Sequence, residues 1–206
     1  MRFLISCLFL ASTLIGAHPA AAQQLLGDTR VPYSADRTVV TGGKTYVGRV
    51  YATPGKQRHE QIINGLPITA ILRADKSVAW LELVDLHVFS DFKFPAAITD
   101  YASAQQLGAP VGTEAIAGLM AKKYRVERKG SDGSELFGYA WINDEGIVLK
   151  LDGSFIEPNG HETKASYELS NIQRGPQPPE LFELPKGMTR LPPEAVAPLM
   201  GLKVKK

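Results

Sequence analysis

The sequence predicts a mainly β protein of the α+β kind, built as a single curved antiparallel sheet or open half-barrel covered by one or two helical segments. Three observations predict it. Short runs with period-two alternation recur along the chain, as they do where successive side chains point to opposite faces of a strand. Glycine-rich or Asn/Asp-containing turns close most of these runs. Only two stretches, 96–107 and 193–200, carry a helical pattern.

Before the first strand comes a processing segment. Met1-Arg2 is a minimal positive start, residues 3–17 are apolar, His18-Pro19 breaks the run, and Ala20-Ala21-Ala22 before Gln23-Gln24 is a small-x-small cleavage pattern. This reads as a signal peptide over 1–22, cut after Ala22. A retained membrane helix needs about 20 apolar residues, more than this run supplies. Cys7 lies inside the run, whereas a lipid-modified cysteine follows it. The expected product is therefore periplasmic or secreted, with no transmembrane anchor after processing. It has no cysteine, so packing and hydrogen bonds must stabilise it in a compartment that permits disulfides.

Residues 23–32 are expected to be a flexible segment. Strands follow at about 34–41, 44–53, 56–64, 68–73 and 78–83. Gly42-Gly43, Pro54-Gly55 and Asn64-Gly65-Leu66-Pro67 join them as turns, because glycine takes positive φ cheaply and proline presets its own φ. Residues 85–112 read as a crossover: Phe89, Phe92, Phe94 and Pro95 precede the alanine-containing helical stretch. A second set of strands runs at about 114–117, 120–129, 135–142, 146–151 and 162–173, with Gly130-Ser131-Asp132-Gly133 and Asn143-Asp144-Glu145-Gly146 as hairpin loops. Pro176, Pro178 and Pro179 then precede a short helix over 193–200 and a basic end at Lys203, Lys205 and Lys206. The divisions are a core domain over 33–191 and a helix with basic tail over 192–206. About 180 residues after the leader suit one domain with a real core.

Lys and Arg number 23 against 21 Asp and Glu. That balance argues against a nucleic-acid partner, which demands a basic excess or stripe.

In order along the chain, Ser34-Ala35-Asp36, Gly48-x-Val50-Tyr51, Gly55-Lys56-x-Arg58-x-Glu60, Arg73-x-Asp75 and Val78-x-Trp80 open a series of short motifs. Gly112-Thr113-Glu114-x-Ile116-x-Gly118, Lys123-Tyr124, Gly138-x-x-Trp141, Gly146-Ile147-Val148-Leu149-Lys150 and Leu181-Phe182-Glu183-Leu184-Pro185-x-Gly187 continue it. The series resembles the DUF4412 family of exported proteins over most of the chain after the leader. The resemblance implies a fold similar to the periplasmic lipoprotein carrier and receptor proteins of outer-membrane sorting: an open half-barrel closed over by helices, whose concave face receives acyl chains. No residue matches a lipoprotein-handling motif one to one.

From the residues themselves, Tyr124 and Val126 share one face by alternation. So do Phe137, Tyr139 and Trp141, so do Ala165, Tyr167 and Leu169, and so do Ile147, Leu149 and Leu151. The candidate lining of an apolar cavity is Trp80, Tyr124, Val126, Tyr139, Trp141, Leu149, Tyr167 and Leu169, with Phe89, Phe92 and Phe94 as a candidate cover. Small residues on the opposite parity, Gly138 and Ala140, would leave room. The competing reading is that these side chains fill the space under the helices.

No catalytic residue, metal site or cofactor is expected. His59 and Glu60 are adjacent on a strand and so point apart, while Arg58 and Glu60 share a face and suit an ion pair with Arg49 or Glu82. His87 with Asp91, and His161-Glu162 with Asp152, read as weak alternatives to a solvated loop. Neither a His-Glu-x-x-His nor a Gly-x-Ser-x-Gly pattern occurs. The expected partners are a lipid or lipoprotein, or another envelope protein meeting a sheet edge or the 89–95 segment.

Overall fold

A computed structural model describes residues 29–76, 78–91 and 108–200. Among these, twelve strands form one open sheet in the order β12-β6-β5-β4-β3-β2-β1-β11-β10-β9-β8-β7. The first half is a meander of β1 (Tyr33–Thr41), β2 (Lys44–Thr53), β3 (Lys56–Ile63), β4 (Leu66–Arg73), β5 (Val78–Leu83) and β6 (Val88–Asp91). The second half is β7 (Gly112–Ile116), β8 (Leu119–Lys129), β9 (Glu135–Ile142), β10 (Val148–Ile156) and β11 (Glu162–Arg174). β11 returns to lie against β1, which puts the first and last long strands at the centre. All neighbours are antiparallel except β12 (Thr189–Arg190), which runs parallel to β6.

The chain is thus the mainly β, curved open sheet that alternation predicts. Residues 88–91, read above as part of a crossover, add a strand beside β5. β10 runs on to Ile156, past the expected end at 151, because Gly153 interrupts the apolar alternation without ending the ladder. The helical stretch at 96–107 and the leader lie outside the described residues.

Curvature has a local cause. At Gly48 on β2 a Cβ would stand 1.9 Å from the Glu60 carbonyl oxygen of β3. Gly138 and Gly153 face each other across β9 and β10, where added Cβ atoms would stand 2.2 Å from the Asp152 oxygen and 2.3 Å from the Phe137 oxygen. At these creases the backbones approach more closely than any side chain allows, which lets a long sheet coil. A bulge at Ser34/Asp36 shifts the β1–β11 register, and Asn171 at φ 50° accommodates it, its amide donating to Asp36 Oδ2 at 2.7 Å.

One face carries the core. From β1, β2 and β8–β11 it presents Ala35, Val39, Val50, Ala52, Val126, Ala140, Tyr167 and Leu169, all buried. Toward β6 a second cluster of Ile63, Ile68, Leu81 and Leu83 is capped by Val196 and Met200, carried by helix α1 (Pro193–Leu199) and the residue following it. On the opposite, outer face a 3₁₀ turn over Pro179–Phe182 straps β3 and β4. Phe182 is buried, and Arg58 and Arg73 donate to the carbonyl oxygens of Leu181 and Phe182 at 3.2 and 3.1 Å.

Candidate functional site

The inner face holds one polar cluster at its centre. Arg37 on β1 is 1% exposed; its guanidinium donates to His59 Nδ1 at 2.8 Å and to Gln61 Oε1 at 2.7 Å, both on β3. The reach is possible because β2 places Gly48 between them: Gly48 pairs with Arg37 on one side and with Gln61 on the other, and no side chain intervenes. The hydrogen bonds determine the histidine tautomer. A guanidinium only donates, so Nδ1 accepts, and the proton sits on Nε2, which donates to Gln57 Oε1 at 2.9 Å. Burial, and then the Arg37 charge, hold His59 well below its ordinary pKa, so the ring is neutral.

Tyr33 and Tyr167 complete the cluster from β1 and β11, their hydroxyls hydrogen-bonded to each other and both pushed up by burial. Around these six polar side chains the neighbouring inward positions are apolar: Ala35, Val39, Val50, Ala52, Leu72 and Leu169. A buried cation inside an apolar surface costs folding free energy unless hydrogen bonds answer it, and here His59 and Gln61 do. The arrangement is a buried apolar layer with one donor-rich point. It has no nucleophile beside a base, and among the described residues no group of three metal-ligating side chains comes together.

The sequence-derived lining divides between the two faces. Tyr124, Val126, Leu149, Tyr167 and Leu169 belong to the inner-face core, with Tyr124 half-buried and the rest buried. β9 pairs Ala140 with Tyr124 and with Leu151, and Gly138 with Val126, so its small residues point inward. Tyr139 and Trp141 therefore take the opposite parity, where Tyr139 is exposed but Trp141 is buried and belongs to the same core cluster. There Lys123 lies 4.4 Å from the Tyr139 ring and 4.7 Å from that of Trp141, and the indole N–H donates to Glu114 Oε1. Trp80 is outward on β5, opposite Ile71 and Asp91. Phe89 is outward on β6, opposite Glu82; Phe92 and Phe94 lie outside the described residues.

His59 and Glu60 do point apart. Arg58 Nε donates to Glu60 Oε1 at 2.6 Å on the outer face, with Glu82 Oε2 at 3.8 Å. Arg49 pairs instead with Asp36 at 2.8 Å. Arg37, Gln57 and Gln61 were not legible as a site. The available signal was that Gln57-Arg58-His59-Glu60-Gln61 is polar on both parities, so one polar set had to face inward.

No family matches the chain, and no curated protein matches it. Similar solved structures include PNGF-II, at 12% identity over 83% of this chain and 33% of that one, with a TM-score of 0.49. The Pseudomonas aeruginosa MucA/MucB complex matches at 14% identity over 74% of this chain and 55% of that one, TM-score 0.44. A LolA superfamily protein from Nitrosomonas europaea matches at 9% over 77% and 92%, TM-score 0.39. This chain spans only a third of the PNGF-II chain and about half of that in the MucA/MucB complex. These are likenesses of backbone at low identity, and none says what this chain binds.

Proposed function

We propose that the chain is an exported, non-enzymatic binding module of the cell envelope that takes an apolar ligand, such as a lipid or a lipoprotein acyl chain, on the inner face of its sheet. The leader over 1–22 supports export to the periplasm, and among the described residues no helix is long and apolar enough to cross a membrane. The observation that carries the reading is an inner face of apolar side chains from β1, β2, β8–β11 around one polar cluster centred on Arg37. Acyl chains would lie along Tyr124, Val126, Ala140, Leu149 and Leu169, with a polar headgroup against Arg37 and Tyr167. The test is native mass spectrometry of protein purified gently from its own envelope, followed by lipid extraction. A stoichiometric acyl species, lost in Ala140→Trp, supports the reading. A clean apo mass that added lipids do not shift overturns it.

A second reading, an envelope interaction module, has one observation in its favour: among the described residues β7 pairs only with β8 and is an exposed strand at the sheet's edge, suited to an added strand from another protein. A photo-crosslinker at Thr113 that captures one envelope protein in cells would favour it.

A further inference from the structure

We infer that the open edge of β7 takes an extended segment of another protein, one that carries a lysine or arginine opposite Glu114 between two apolar residues. This rests on the interaction reading of β7 and adds the chemistry of the partner. Ala117 and Gly118, at φ 50° and 77°, make a two-residue hairpin loop that closes on the Ile116–Leu119 pair. Hydrogen-bonded pairs alternate along an antiparallel ladder, so Ile116 and Glu114 bond toward β8. Thr113 and Ala115 then turn their N–H and C=O groups to the side where, among the described residues, no strand lies. An antiparallel segment meets these backbone groups in a register centred on Glu114.

The side chains set the kind of segment. Glu114 is exposed and is the one charged residue of β7. The Trp141 indole N–H donates to its Oε1, which fixes the carboxylate at the edge. The two β8 cations opposite β7 are engaged elsewhere: Lys123 lies over the Tyr139 and Trp141 rings at 4.4 and 4.7 Å, and Lys122 pairs with Asp144 at 2.8 Å. A lysine or arginine arriving opposite Glu114 therefore meets a carboxylate that β8 does not neutralise, whereas an acid there is repelled. The same rule disfavours a second copy of this chain as the occupant, because pairing through these backbone groups sets Glu114 directly against Glu114 of the other copy. On the alternate parity the edge is small and apolar. Thr113 and Ala115 are exposed, and Ala115 pairs with Met120, which is 63% exposed. The segment's residues on either side of its basic one lie over Thr113 and Ala115 and reach Met120, which suits β-branched and other apolar side chains.

The experiment uses two copies of the chain as each other's probe, in a Cys7→Ser background that removes the one cysteine of the sequence. In the centred register, Thr113 of one copy stands opposite Ala115 of the other at a Cα separation of about 5.5 Å, within reach of a disulfide. A copy with Thr113→Cys is mixed with a copy with Ala115→Cys under mild oxidation, and the rate of dimer formation is followed. With Glu114→Lys in one copy the dimer should form about fivefold or more faster than with Glu114 in both, and added salt should remove the advantage. Glu114→Lys in both copies should be slow again. Glu114→Gln in both, which keeps an acceptor for the Trp141 indole, should fall between, and it carries the test if Glu114→Lys misfolds. One rate in every pairing overturns the basic partner residue but leaves β7 open to a strand. Rates no faster than between two copies with Val47→Cys, an exposed residue of β2 away from this edge, overturn the proposal and the interaction reading together.

Discussion

Glu82 on β5 is 1% exposed on the outer face. Its Oε2 is 3.8 Å from Arg58, and its buried Oε1 has no hydrogen-bond partner. Burial, partly offset by Arg58 and reinforced by Glu60, pushes its carboxyl up to about 7. An acid whose folded pKa is raised contributes stability that is fully present below its unfolded value near 4.5 and is lost as pH rises through about 7. Glu82→Gln should therefore stabilise the protein by about 2 kcal/mol at pH 8 and leave it nearly unchanged at pH 4, read from urea melts at the two values. Equal effects at both would show that Glu82 is ionised without penalty. His59 has the opposite sign of dependence: held neutral by burial and Arg37, it destabilises the fold as pH falls below the ordinary histidine value of 6.5. Replacing His59 by Leu strips a partner from both Arg37 and Gln57 and should cost about 2–4 kcal/mol, whereas His59→Gln, which can still accept and donate, should cost less.

At the scale of elements, the creases and the strap are the vulnerable points. Gly48→Ala would place a Cβ 1.9 Å from a β3 carbonyl oxygen, a contact relieved only by separating β2 from β3. A loss of about 3 kcal/mol or more is expected, with hydrogen exchange rising first in Arg49 to Gln61. Gly43→Ala, in a turn where a Cβ meets nothing but φ is 73°, should cost about 1 kcal/mol by strain alone. Phe182→Ala empties a buried site beneath the strap, with an expected loss of about 3 kcal/mol in a thermal or urea melt. If the strap is merely draped on the sheet, that variant will melt with wild type.

For the whole molecule, the inner face is assembled from both halves of the chain, joined where β11 lies against β1. The inner face gathers side chains from strands far apart in sequence: Arg37 with His59, and Val39 opposite Tyr167. Arg37→Met, which keeps the length and removes the charge, strips a partner from both His59 and Gln61 and should cost about 2–4 kcal/mol as His59→Leu does, but, where still folded, should weaken capture of an anionic amphiphile about tenfold or more relative to His59→Leu, measured by displacement of a fluorescent fatty acid. Equal affinity would place the headgroup away from β1.

The sequence by itself determined the strand-forming segments, because period two is a local property and glycine, proline and Asn-Gly pairs stop strands where they stand. It also determined that His59 and Glu60 point apart and that Arg58 and Glu60 share a face, since both follow from alternation on one strand. Which parity faces inward did not follow. On β9 the aromatic set Phe137, Tyr139 and Trp141 and the small set Gly138 and Ala140 are equally regular, and the choice was made by the pairing of Ala140 with Tyr124 and Leu151. Only tertiary structure could join β11 to β1, set Gly48 between Arg37 and Gln61, and so make a polar cluster from residues 22 and 24 positions apart. Long-range register is decided by the summed burial of every strand together, and no window of the chain contains that sum.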